Sequence, residues 1–208
     1  MRSQGQKQED QPTIYVYAYS WTPGFCNNQK SYPGCVDPLP YWETNFTIHG
    51  LWPQFAVNGY PDSCTKEPFD TTIPQQIGES TMIQYWPDVK YNPDSSSYDS
   101  FWEHEWTKHG TCSGLTQLQY FQSAIQLTNQ IPSPTVLYDS IGGNMSATVL
   151  REHMGGLNFV TLLCTNSVLN GLYTCWEQVD HLPTIQIKCP QSVIQEDTCI
   201  TSDEIIIL

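Results

Sequence analysis

The sequence is short of positive charge: 8 lysines and arginines face 21 aspartates and glutamates, a formal net charge of -13 over 208 residues. Proteins that bind polyanions over a broad surface carry the opposite balance, so any phosphate chemistry must sit in a small, locally positive cleft. The imbalance eases at acidic pH, where carboxylates protonate and the five histidines become cationic. No apolar run approaches the roughly 18 residues of a membrane span, so no membrane partner is expected. The absence of CxxC pairs argues against zinc ribbons and thioredoxin-type redox chemistry. No GxSxG elbow is present to activate a serine, and there is no internal repeat or low-complexity block.

What is present fits one domain with a substantial core, given 39% hydrophobic and 12% aromatic residues. Eight cysteines, an even number, point to disulfides, and two sequons, at Asn45 and Asn144, point with them to the secretory pathway and N-glycans. A cytosolic chain with reduced thiols is the alternative. The N-terminal MRSQGQKQEDQP lacks an apolar h-region; it reads as the start of a processed chain with an added Met, and residues 1–12 as a disordered tail before a domain at 13–208.

TIYVYAYSW (13–21) sets Ile14, Val16 and Ala18 against tyrosines, as a central strand with two differently packed faces would. NFTIHG (45–50) reads as a second strand, broken by the Pro- and Gly-containing WPQFAVNGYPDSC. Residues 87–100 read as a loop, 101–109 as a helix stopped by Gly110, 117–132 as an amphipathic helix, and 146–156 as a helix capped by Ser146 and closed by two glycines. A hairpin turn is expected at Asn170-Gly171, and the terminal IIIL is a last strand or docked tail. Together these predict an α+β fold, a single domain with a central antiparallel β-sheet flanked by helices and stapled by disulfides.

FWEHEWTKHGTC (101–112) concentrates bases in a chain that has few. On a helix His104, Lys108, Glu105 and His109 fall at roughly 0°, 40°, 100° and 140°, one face. Zinc suits this poorly, because HEWTKH is one residue too long for HExxH and Lys108 would repel a cation; no metal is expected. Acyl transfer lacks an activated Ser or Cys. Phosphoryl transfer from RNA through its own 2′-hydroxyl needs a base, an acid and a cation on the phosphoryl oxygens, and histidines titrating near 6.5 suit the first two roles. One helix supplies one of the pair; the second must arrive from another element, and His49 in TIHGLWPQ is the candidate. His153 and His181 read as structural, and Trp106, on the far face of the helix, as core.

FTIHGLWPQ (46–54) and FWEHEWTKHGTC (101–112) together resemble the two active-site segments of the ribonuclease T2 family of acid, transferase-type RNases, in residue type, order and separation. The likeness extends through the first strand, the NGYPDSC loop and the C-terminal cysteines, and is nearest to the plant S-like enzymes. It implies an endoribonuclease cleaving single-stranded RNA to a 2′,3′-cyclic phosphate and then a 3′-phosphate, with low base specificity, an acidic optimum and no cofactor, acting as a monomer in the cell exterior or vacuole. His49 becomes the general acid and His109 the general base; His104 binds phosphate; Glu105 and Lys108 polarise the phosphoryl oxygens.

The same resemblance makes Trp52 a stacking platform for the base 5′ of the scissile phosphate, with Tyr60 beside it, and gives the second base Phe101, Pro93 and Asp94. Gln54 stands where the family often has an acid, and Tyr19-Ser20 where many relatives have Gln-Gln, so base preference does not carry over. The implied disulfides are Cys26 to Cys35, Cys64 to Cys112, Cys164 to Cys199 and Cys175 to Cys189. A catalytically inactive storage or defence protein of the same fold is the other class of function, and the intact histidine pair speaks against it.

Overall fold

The computed structural model describes residues 13–29, 31–57, 59–199 and 203–208; the expected tail at 1–12 lies outside them. In chain order the strands are β1 (Ile14–Ser20), β2 (Thr47–Gln54), β3 (Gly143–Ser146), β4 (Val160–Thr165), β5 (Val168–Val179), β6 (Leu182–Ile187) and β7 (Glu204–Ile207). The helices are α1 (Thr22–Cys26), α2 (Pro33–Val36), α3 (Pro40–Thr44), α4 (Ile73–Ile77), α5 (Glu79–Tyr85), α6 (Ser100–Lys108), α7 (Gln117–Gln130), α8 (Thr135–Tyr138), α9 (Ala147–His153) and α10 (Gln191–Ile194).

β1 lies between β2 and β5, antiparallel to both, and is buried from Ile14 to Tyr19. Its two faces differ as the sequence suggests: Tyr15, Tyr17 and Tyr19 enter the main core, whereas Val16 joins a smaller cluster with Cys175, Cys189 and Val193. β4 and β6 pair antiparallel to β5, and a single parallel contact, Val168 with Ile206, brings in β7. Trp86, Trp102, Trp106, Tyr120 and Phe121 fill the main core between the sheet and helices α5, α6 and α7. α7 begins with a reciprocal capping box, Thr116 with Gln119, and Ser146 caps α9.

Three local expectations are corrected. β2 is not broken at Pro53 but continues to Gln54, opposite Ile14; it is the outer strand of the sheet, where a residue without an N–H costs no ladder bond. The hairpin turn lies at Asn166-Ser167, both at positive φ (52° and 64°), while Asn170 and Gly171 run inside β5. Gly171 is a glycine because β1 passes so close that a Cβ would collide with the Tyr19 carbonyl. Gly110 is not a left-handed stop either: α6 ends at Lys108 with His109 as its C-cap, a short 3-10 turn (Gly110–Cys112) follows, and a Cβ at 110 would meet the Trp106 ring.

Four disulfides join Cys26 to Cys35, Cys64 to Cys112, Cys164 to Cys199 and Cys175 to Cys189. The second ties the 55–64 loop to the end of α6, helped by bonds from Ser63 N to Lys108 O (2.9 Å) and Cys64 N to Thr111 Oγ1 (3.1 Å). Each is worth about 2–4 kcal/mol.

The placement of the turn is testable by thermal and urea melts. Gly171→Ala is expected to cost about 1–3 kcal/mol through overpacking against β1. Asn166→Gly, at a position already left-handed, is expected to stay within about 0.5 kcal/mol of the parent. The reverse order would put the turn back at 170–171.

Candidate active site

The site begins with an irregularity in β2. Ala18 faces Gly50 and Tyr19 faces Ile48, so His49 is the extra residue of a bulge. A bulge re-aims one side chain without shifting the strand around it. Ile48 stays 1% exposed in the core while 47% of the His49 side chain opens onto the cleft. The His49 carbonyl accepts from Trp86 Nε1 (3.0 Å), and the Trp86 carbonyl accepts from Trp102 Nε1 (2.7 Å) on α6. Two indoles thus connect the bulge to the helix opposite.

α6 turns Trp102 and Trp106 into the core and presents Glu105 and, one turn on, His109 at the cleft, with His104 and Lys108 more exposed beside them. Gly50 lets the two elements meet, since a Cβ there would collide with the Glu105 carboxylate and the Trp52 indole. Trp52 Nε1 donates to Glu105 Oε2 (2.8 Å), and Glu105 Oε1 lies 4.0 Å from His49 Nε2. His109 stacks on Trp52 with ring centroids 5.1 Å apart, and His49 meets the same indole edge-on at 5.4 Å. His109 Nδ1 is buried without a hydrogen-bond partner, which leaves Nε2 as the nitrogen able to meet a substrate.

Two cavities share His49, His104 and Glu105 as their common wall. The smaller, about 340 Å³, adds Trp52, Gln54, Tyr60, Lys108 and His109. The larger, about 440 Å³, adds Phe101, and Phe101 touches His49 edge-on at 5.4 Å. Among the other sequence candidates, Pro93 and Asp94 stand exposed and line neither cavity. Lys90 and Tyr91 hold that wall instead, and Tyr173 and Glu196 close the smaller cavity. Motifs could not reveal these four, although Lys90 had a signal in the rarity of its charge.

Burial sets the electrostatics. Glu105, 1% exposed, has its carboxyl pushed up to about 8 by desolvation, against the pull of Trp52 and Lys108. Desolvation, then the neighbouring His104, Lys90 and Lys108, lowers His49 to about 4; desolvation, then Lys108 and His104, lowers His109 to about 3. His104 is lowered as well. Desolvation thus works against charge on both partners of the 4.0 Å contact between His49 and Glu105. An arriving anion supplies the charge that would let the imidazoles protonate.

Comparison with known proteins gives a consistent result. Residues 12–181 match the sequence model of the Ribonuclease T2 family. The chain is 37% identical over 190 residues to Ribonuclease 1 of Arabidopsis thaliana, covering 85% of this chain and 80% of that protein. It is also 37% identical over 196 residues to Extracellular ribonuclease LE of Solanum lycopersicum, with the same coverage. Among solved structures, ribonuclease MC1 from the seeds of bitter gourd superposes with a TM-score of 0.71 at 29% identity, over 93% of this chain and 99% of that one. An RNase-related protein from Calystegia sepium, at 19% identity and a TM-score of 0.73 over 95% and 98%, shares the fold.

The buried carboxyl predicts a pH signature. In the unfolded chain Glu105 titrates near its usual 4.5, so between there and about 8 the folded chain holds a proton that the unfolded chain has released. Its stability contribution is complete below pH 4.5 and is lost as pH rises through 8. Glu105→Gln, which keeps an acceptor for Trp52, is expected to melt with the parent at pH 4 and above it at pH 8. Parallel melting curves at both pH values would mean that Glu105 is ionised in the folded state.

Proposed function

The chain belongs to the ribonuclease T2 family, on the side of the plant S-like enzymes, and from that premise we propose that it cleaves single-stranded RNA at the 49/109 cleft by the two-step transphosphorylation route. One observation carries the reading: an imidazole from the β2 bulge and another from α6 meet on one cavity, with Lys108 and a neutral Glu105 beside them. His109 Nε2 removes the 2′-hydroxyl proton, the 2′-oxygen attacks phosphorus, and His49 protonates the departing 5′-oxygen. In the second step water adds to the cyclic phosphate, His49 now taking its proton and His109 returning one to the 2′-oxygen, which leaves a 3′-phosphate. Lys108 offsets the negative charge that builds on the phosphoryl oxygens, His104 holds the phosphate, and Glu105, protonated, donates a hydrogen bond that a carboxylate could not. The chemistry calls on no metal and no cofactor.

The cavities give the substrate a direction. His109 lines only the smaller one, so the nucleotide whose 2′-hydroxyl reacts lies there; the leaving nucleoside takes the larger one, against Phe101. Trp52 already has His109 stacked on it and Tyr173 against it at 5.3 Å, so the open stacking face for the first base is Tyr60, 53% exposed. Gln54 faces the same cavity and offers an amide to a base edge, consistent with low base specificity.

The disulfides and the extracellular relative support a secretory protein, in the cell exterior or vacuole, acting as a monomer. Of the two sequons, Asn144 is exposed on β3, whereas the Asn45 amide already donates to Tyr41 O and Thr44 Oγ1, which favours Asn144 as the glycan acceptor.

Two measurements test the mechanism. His49→Ala and His109→Ala are each expected to lose about 10²- to 10⁴-fold in cleavage of homopolymeric RNA while keeping the parent melting curve. Either variant cleaving at a near-parental rate refutes the assignment. The base must be neutral and the acid protonated, and both imidazoles titrate below their usual 6.5, so kcat/KM against pH is expected to be a bell with both limbs below pH 6.5. A plateau extending above pH 7 would contradict it.

A further inference from the structure

The wall of the smaller cavity formed by Tyr173, Val193 and Glu196 takes no part in the two-step chemistry. Its backbone is nonetheless tied down. Glu196 follows α10, and the residues on either side of it are bound in turn to β4. Val193 is buried against Val16, Cys175 and Cys189, and its carbonyl accepts from Thr161 Oγ1 (3.2 Å) and from Glu196 N (3.0 Å). The Asp197 carboxylate accepts from Arg151 Nη2 (2.7 Å), Leu162 N (3.0 Å) and Cys199 N (2.9 Å). Thr198 N donates to Leu162 O (3.0 Å), its hydroxyl bonds the N–H and the carbonyl of Cys164 (2.7 and 3.0 Å), and Cys199 is bridged to Cys164. Arg151 is the one arginine among the described residues of a chain short of cations, and it is buried here to hold the neighbour of Glu196.

A carboxyl group in this place opposes the phosphates of an incoming strand unless it meets donors from another part of the substrate. Glu105, the other carboxyl on the cavity, avoids that conflict because burial favours its neutral form. Glu196 is exposed, and among the described residues no hydrogen bond or ion pair occupies its carboxyl. Beside it Tyr173 stands edge-on to Trp52 at 5.3 Å. The Tyr173 hydroxyl is pushed up to about 12 by desolvation and then by the Glu196 and Glu105 carboxylates, so it stays a donor at any pH where RNA is cleaved. One donor next to a two-oxygen acceptor matches a single base edge. Guanine sets its O6 acceptor beside the N1–H and N2–H donors, whereas adenine, cytosine and uracil each lack the adjacent pair of donors.

We propose that Glu196 and Tyr173 form a guanine-reading wall: the carboxylate accepts from N1–H and N2–H of the base 5′ of the scissile phosphate, and the Tyr173 hydroxyl donates to its O6. This rests on the direction of the substrate proposed above. Tolerance for other bases is kept, because Gln54 and Tyr60 serve any base in the cavity and only guanine gains from the added wall.

The test uses the intact protein and the dinucleoside monophosphates GpU, IpU, ApU, UpG and UpA, inosine being guanosine without its N2 amine. For the parent, kcat/KM on GpU is expected to exceed that on ApU about tenfold and that on IpU about threefold. Glu196→Gln turns an amide donor towards the two guanine donors, and it is expected to bring the GpU to IpU ratio to about one or below. Tyr173→Phe, which keeps the ring against Trp52, lowers GpU and IpU together by about threefold relative to ApU and preserves the ratio between them. A wall that only packed would shift all the substrates alike. If the parent cleaves GpU and ApU equally, if guanine is favoured on the 3′ side (UpG over UpA) and not on the 5′ side, or if Glu196→Gln keeps the parental GpU to IpU ratio, the wall is refuted while the ribonuclease reading stands. If the parent cleaves none of these and no RNA, the reading beneath it fails.

Discussion

One extra residue in β2 governs the geometry of the cleft. A regular strand would continue the alternation that buries Ile48, and the residues after it would pair with β1 one step out of register. The bulge absorbs that step at His49: the ladder resumes at Gly50 opposite Ala18, and the imidazole faces α6. The interaction that fixes it is polar, Trp86 Nε1 on the His49 carbonyl, with Trp102 behind. Because Trp102 belongs to α6, a displacement of the helix is felt at the bulge through fully buried indoles. Histidines 60 positions apart are therefore held by one core and not by two loops.

The same packing explains how a chain of net charge -13 can act on a polyanion. Bringing β2 against α6 strips water from Glu105, His49 and His109 at once, and each responds by favouring its neutral form. The resting cleft thus stores little charge beyond Lys108 and Lys90. In the proposed reaction a phosphodiester entering between the histidines supplies the counter-ion they lack and raises their proton affinity. Steering by a basic surface is given up, while attraction at contact range is kept, where low dielectric makes it strongest.

The grouping of side chains at the candidate site was legible in the sequence to a degree that the strand boundaries were not. The i, i+4 spacing on 101–109 put Glu105 with His109 and His104 with Lys108, and α6 keeps that spacing because Trp102 and Trp106 anchor its far face. β1 was legible for the same reason: its two-faced pattern leaves no alternative to an interior strand. The bulge was not, because HGLWP reads locally as a strand about to break, and only pairing with β1 shows that Pro53 sits harmlessly on the outer edge. Asn170-Gly171 misled because the dipeptide that favours a tight turn also permits close strand approach, and the crossing of β1 over Gly171 is a tertiary fact. Lys90, Tyr173 and Glu196 join the site by folding alone, from segments with no motif.

That division has a physical consequence for how far similarity to relatives reaches. The two residues proposed for proton transfer stand on β2 and at the end of α6, whose positions are fixed by core indoles, a glycine contact and a disulfide. Much of the remaining cavity wall comes from the 55–64 loop, the 87–91 segment and the stretch after α10, where Tyr60, Tyr91 and Glu196 face open space. Loops tolerate substitution because little packing depends on them. Glu196 lies beyond residue 181, outside the span matched by the family's sequence model, and its carboxyl is raised by desolvation at the cavity edge. On the proposed reading, reaction type therefore depends on the packed core, whereas the choice of base depends on side chains that the core does not hold.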